Sequence, residues 1–159
     1  MLNLTLITVG TLKENYLREA VAEYEKRLQA YCRLQTVNLR ESRLSDSPSP
    51  GEIAAALSAE GRQILAAMPP RAYRVALCVE GKQLSSEELA ERLEQIGQTH
   101  GFACFVIGSS YGLAPEVKAA CDGRLSFSKL TFPHQLMRVL LLETLYRSLG
   151  ISAGSKYHK

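Results

Sequence analysis

The chain has 159 residues and a mass of 17.5 kDa, with 46% hydrophobic and 22% charged residues. A domain of this size buries about 70% of the surface its unfolded form exposes, so it needs no disulfide or metal to hold it. Disorder and collagen-like structure are excluded for the bulk of the chain. The net charge of +3 is uneven: residues 124–159 carry six cations against Glu143 alone, on a slightly acidic body. That distribution suits either an anionic partner or a helix with a basic, solvated face.

Residues 2–9 alternate and break at Gly10, which predicts a first strand. Leu17, Val21, Tyr24, Leu28 and Tyr31 fall at helical spacing and predict a helix over 13–31, followed by a strand over Leu34–Leu39. Residues 42–51 are rich in Ser and Pro and read as a loop, with a helix over Glu52–Met68 that stops at Pro69-Pro70. A third strand spans Tyr73–Val79. Ser85 and Glu88 form a capping box that opens a helix to about Gln98. Phe102–Ile107 contains no polar residue and predicts a central strand covered on both faces. A glycine-containing turn, a short helix from Pro115, a strand over 124–128 and a long helix over 133–149 complete the series, with Pro133 at the first helical position and residues 150–159 as a loosely held tail. Strict alternation of strands and helices predicts one α/β domain, a parallel sheet with helices on both faces. Ligands of such sheets bind beyond the carboxyl ends of the strands, which singles out the loops after Val79, Ile107 and Ser128.

Two of those loops could carry chemistry. Gly108-Ser109-Ser110-Tyr111-Gly112 permits close backbone approach, either as a binding loop or as a plain strand-to-helix turn. It matches neither standard phosphate-binding glycine fingerprint. Phe127 to Gln135 mixes small hydroxyl residues, a lysine and aromatics before a helix, a composition able to wrap a flat ring. His134 lies in the first turn of that helix and could serve as a proton acceptor, an RNA contact or a structural imidazole. Arg138 follows one turn later on the same face. The terminal Lys156-Tyr157-His158-Lys159 suits stacking on a base and contact with phosphate, or is a frayed end. The four cysteines show no zinc spacing and read as free thiols of a reducing, cytoplasmic compartment. No metal site, signal peptide or membrane span is expected.

Val106–Leu113, Leu125–Arg138 with its Ser-Lys-Leu-Thr-Phe-Pro-His-Gln run, and the terminal Tyr157-His158-Lys159 resemble a minimal branch of the SPOUT methyltransferases that acts on large-subunit ribosomal RNA. The resemblance extends to Val9–Lys13 and Glu23–Leu28, hence over a single methyltransferase domain of residues 1–159. It implies a C-terminal trefoil knot, a homodimer, and S-adenosylmethionine held by Leu77, Gly108, Phe127, Ser128, Lys129, Leu130, Thr131 and Phe132. It further implies methylation of N3 of a pseudouridine of 23S rRNA in the ribosome, without metal and without membrane attachment. His134, Arg138, Tyr157, His158 and Lys159 are the candidates for catalysis near the target base. Ser109 and Tyr111 depart from the Gly-Gly-x-x-Gly pattern of the family, and Ser109 places a side chain where a positive φ could be needed. Two other readings compete: an RNA-binding module without catalysis, and a doubly wound nucleotide-binding enzyme.

Overall fold

The computed structural model describes residues 1–158. Five parallel strands form one sheet: β1 (Leu2–Val9), β2 (Cys32–Leu39), β3 (Tyr73–Lys82), β4 (Phe102–Ile107) and β5 (Gly123–Leu125), in the order β2-β1-β4-β3-β5. Five helices connect and follow them: α1 (Asn15–Leu28), α2 (Pro50–Ala67), α3 (Ser86–Thr99), α4 (Pro115–Ala119) and α5 (His134–Ser152). Parallel pairing requires such crossovers, and they supply the two outer layers. On one face Leu4, Leu6, Phe105 and Ile107 pack with Leu28, Leu93, Leu141, Leu142 and Leu145 from α1, α3 and α5. On the other, Ile7, Val9, Cys104 and Val106 meet Ile64 from α2, Met68 at its C-cap and Val117 from α4. Each of the fully buried Leu, Ile, Val and Phe side chains among them contributes about 1.5–3 kcal/mol relative to exposure. The expected α/β architecture, with β4 central, is the one observed.

Boundaries differ from the sequence reading where side chains close on the backbone. The fifth strand stops at Leu125 instead of Ser128. Leu125 pairs with both Leu77 and Lys82, Ser126 N donates to the Lys82 carbonyl, and Ser126 Oγ donates to the Ser128 carbonyl, turning the chain out of the sheet. Gly81 makes this possible, since a Cβ there would lie 2.7 Å from the Leu125 carbonyl carbon. α2 starts at Pro50, not Glu52, because Ser49 and Glu52 form a second capping box within the supposed loop. The capping box of Ser85 and Glu88 is present as read. Pro133 occupies the N-cap of α5 rather than its first turn.

The tail is held, contrary to the sequence expectation. α5 runs on to Ser152, and Gly154, at φ +75°, reverses the chain. Gly154 N donates to the Ile151 carbonyl and Ser155 N to the Gly150 carbonyl, the paired bonds of a Schellman motif. The chain then doubles back along α5. Tyr157 Oη donates to the Glu143 carboxylate at 3.0 Å, its ring meets Tyr146 edge-on at 4.9 Å, and His158 Nε2 lies 2.8 Å from Glu87 at the start of α3. Lys159 lies outside the described residues.

Candidate active site

A cavity of about 630 Å³ opens at the carboxyl ends of β3, β4 and β5. Leu77 comes from β3 just past its last pairing with β4 and Ile107 from the end of β4, Gly108, Ser109, Ser110 and Gly112 from the turn after β4, and residues 125–128 and 130–134 from the segment leading into α5. Seven of the eight residues singled out for cofactor binding therefore share one cavity; Lys129 is exposed and does not line it. Gly108 is required by the turn itself, because a Cβ there would lie 2.2 Å from the Gly112 carbonyl oxygen. Among the described residues, the main-chain groups of Phe127, Thr131 and Phe132 have no hydrogen-bond partner within the chain. Unpaired backbone donors and acceptors beside apolar walls can bind the edge and the faces of a heterocycle.

The departures at the glycine turn resolve differently from the sequence expectation. Ser109 has an ordinary negative φ; Arg71 is the only non-glycine with a positive φ among the described residues. The Ser109 hydroxyl is buried and donates to Glu60 Oε1 at 2.8 Å, while Glu60 Oε2 accepts from Ser42 N at 2.8 Å. Glu60 is only 4% exposed and ties the turn after β4 to the loop after β2. Tyr111 is half exposed and does not line the cavity. The signal for Glu60 was present in the sequence: it sits at helical spacing between buried Ala56 and Ile64, where a carboxylate requires partners. Ser109→Ala should therefore lower stability by about 1.5–3 kcal/mol, the range for a hydrogen bond to a charged group. Thermal melts should show the midpoint falling by about 3–10 °C.

His134 stands at one wall of the cavity, its Nδ1 3.4 Å from Ser110 Oγ. Burial holds its imidazole below the ordinary value, an effect that Arg138 and Lys13 reinforce and Glu41 and Glu60 oppose. The ring is thus neutral near pH 7 and able to accept a proton. Arg138 does not face the cavity. It is 5% exposed and donates to the carbonyls of Val9 and Gly10, clamping the end of β1 to α5. Burial lowers its pKa.

The tail residues form a separate cluster. Glu143 accepts from Arg147 at 2.8 Å and from Tyr157, and the Arg147 guanidinium lies 4.7 Å from the centre of the Tyr157 ring. Neither Tyr157 nor His158 lines the cavity within this protomer. Burial raises the thiols of Cys32 and Cys121 to about 11 and that of Cys104 to about 12, so they stay protonated; all four cysteines are free. Among the described residues no three His, Cys, Asp or Glu side chains are placed to hold a metal, and no helix is long and apolar enough to cross a membrane.

The chain is 44% identical over 160 residues to a ribosomal RNA large subunit methyltransferase H of Ligilactobacillus salivarius, covering 99% of this chain and 100% of the relative. Proteins of the same name from Bacillus pumilus and Streptococcus thermophilus are 43% and 46% identical, covering 99% and 97% of the chain and 100% and 98% of the relatives. A probable methylase family protein from Haemophilus influenzae shares the fold, with a TM-score of 0.54 and 14% identity over 98% of this chain and 70% of that one. Residues 2–158 match the family described as predicted SPOUT methyltransferase, and the chain belongs to that family.

Proposed function

We propose that the chain is an S-adenosylmethionine-dependent methyltransferase of large-subunit ribosomal RNA, acting in the cytoplasm on N3 of a pseudouridine in the ribosome. The observation that carries the reading is the cavity between the Gly108 turn and residues 125–132, with unpaired backbone groups beside apolar walls. The names of the relatives supply the substrate class. When bound there, S-adenosylmethionine supplies a methyl group activated on a sulfonium. Leu77, Ile107 and Phe127 provide the apolar contacts, and the main chain of Phe127, Thr131 and Phe132 offers the polar ones. Lys129 contributes charge at the rim. The knot belongs to the same reading.

The acceptor nitrogen must lose a proton. Neutral His134, with Nδ1 beside Ser110 and Nε2 toward Gly10, is the group at the cavity wall able to take it. Arg138 acts as a positioning residue, fixing the end of β1 against α5. Tyr157, His158 and Lys159 contact the target nucleotide in this reading. The separation of the tail cluster from the cavity within one protomer is accounted for by a homodimer in which the partner helps to hold RNA. Light scattering should accordingly give twice 17.5 kDa at micromolar concentration, and a mass of 17.5 kDa would count against the assembly.

The experiment that tests the reading is mass spectrometry of ribosomal RNA after incubation of ribosomes with the protein and labelled S-adenosylmethionine. A labelled pseudouridine in the large-subunit RNA is expected. RNA binding without cofactor binding would instead identify a non-catalytic module. The pH dependence provides a further check. Because His134 has a lowered pKa, its base form persists below the ordinary imidazole range and is lost only at more acidic pH. The midpoint of the acidic fall in methylation should accordingly lie below the ordinary imidazole value of about 6.5. His134→Gln should remove this acidic limb while lowering the rate.

A further inference from the structure

A second cavity, of about 600 Å³, lies on the other side of His134 and Ser110, which form the wall it shares with the first. It opens over the ends of β1 and β2, a place the sequence reading did not single out. From β1 the chain leaves through α1 on one face toward β2; from neighbouring β4 it leaves through α4 on the opposite face toward β5. Strand ends whose connections diverge in this way form the crevice where open α/β sheets seat ligands.

The lining is chemically unlike that of the first cavity. Lys13 and Arg40 bring two cations, Thr11 a hydroxyl and Glu41 a carboxylate. Among the described residues Glu41 has no ion pair or hydrogen bond. A Cβ on Gly10 would lie 3.1 Å from Glu41 Oε2 and 3.5 Å from His134 Nε2. The carboxylate and the imidazole therefore flank a space that only a glycine leaves open, and Gly10 tolerates its φ of +94° for the same reason. The buried Arg138 guanidinium, held by the Val9 and Gly10 carbonyls, has no carboxylate within ion-pair distance and feels Glu41 across a longer gap, so the surroundings hold three cations against that one carboxylate.

We infer that this cavity seats one nucleotide of the substrate RNA strand, next in line to the methyl acceptor. The inference rests on the RNA-methyltransferase reading. A bare anion would meet the Glu41 carboxylate, and an apolar ligand would strand two cations and a carboxylate. A nucleotide satisfies both sets: its phosphate faces Lys13 and Arg40, and a ribose hydroxyl or base N–H donates to Glu41. The 2′-hydroxyl gives this carboxylate a partner that DNA lacks. The volume lies within the usual range of about 300–1,000 Å³ for ligand sites. The shared wall of His134 and Ser110 places the seat beside the reacting centre. A free mononucleotide presents the same chemistry, so the test separates it from a strand.

Three variants address the site: Thr11→Trp, which fills the cavity from an exposed position; Lys13→Ala with Arg40→Ala; and Glu41→Gln. Calorimetry with S-adenosylmethionine should give affinities within about twofold of the parent, since none of the four side chains lines the first cavity. With ribosomal subunits as substrate, KM should rise about tenfold in Thr11→Trp and in the double variant. The salt slope of subunit binding should fall by about 2 in the double variant, one for each cation withdrawn from a phosphate. Unchanged KM and salt slope in Thr11→Trp and the double variant, with melting curves showing both folded, would overturn the inference. So would tight binding of uridine monophosphate to the parent in the absence of RNA, which would make the cavity a small-molecule site. A Glu41→Gln variant that alters only kcat and its pH profile would assign Glu41 to the proton on His134 and overturn its role in the seat. If the parent protein fails to methylate ribosomal RNA, the proposed function falls. Filter binding of the same variants to subunits still reads the cavity separately.

Discussion

Gly108→Ala should nearly abolish cofactor binding and also destabilise the protein. The added Cβ would lie 2.2 Å from the Gly112 carbonyl oxygen and 2.5 Å from its carbon, so the turn after β4 must open. Overpacking against backbone costs up to about 3 kcal/mol, borne by the folded chain with or without cofactor, and affinity falls because the opened turn no longer shapes the cavity wall. The melting midpoint should fall by about 5–10 °C. Gly112→Ala is the control. Its Cβ would meet nothing within 4 Å, and the only cost is that of its φ of +89°, about 1–2 kcal/mol. Calorimetry with S-adenosylmethionine distinguishes the two: Gly108→Ala binding as tightly as the parent would remove the turn from the site.

Deleting Tyr157, His158 and Lys159 should lower methylation of ribosomes by about 100-fold or more, the scale on which misplacement of a reacting group is felt. Cofactor affinity should be unchanged, because neither Tyr157 nor His158 lines the cavity. The deletion is not silent for stability. It removes the Tyr157 hydroxyl from Glu143, the ring from Tyr146 and the Arg147 guanidinium, and His158 from Glu87. The Tyr157 contacts are partly exposed and together contribute about 1–2 kcal/mol, a fall of about 2–6 °C in the midpoint. Full activity after truncation would reduce the tail to a strap on α5. Abolished cofactor binding would place it in the cavity.

Element types were legible because they depend on local periodicity. The alternation of residues 2–9, the helical spacing of Leu17, Val21, Tyr24 and Leu28, and the polar-free run of β4 each follow from neighbours within a few positions. The two loops that wall the cavity were legible for a related reason: glycines and small hydroxyl residues at strand ends declare themselves in sequence, and the sheet rule says where such ends lead. The capping box of Ser85 and Glu88 stands out in sequence because a helical pattern follows it directly, whereas that of Ser49 and Glu52 is masked by the serines and prolines around it, which resemble a loop.

What the tertiary structure alone decided are the partnerships between distant positions. Strand order β2-β1-β4-β3-β5 brings Glu60 to Ser109, Arg138 to Val9 and Gly10, and His134 to Ser110 and the space over Gly10. From sequence, Arg138 reads as a candidate for catalysis on the helix face it shares with His134; packing of α5 against the sheet buries it instead as a clamp on backbone carbonyls. Ser109 reads as strain in a glycine turn, until a carboxylate 49 residues away supplies its hydroxyl with an acceptor. Periodicity reports which side of a helix or strand is buried. It cannot report which polar group waits on the other side, because that depends on how the crossovers order the strands, and the order of β1 and β4 is what places two cavities against one histidine.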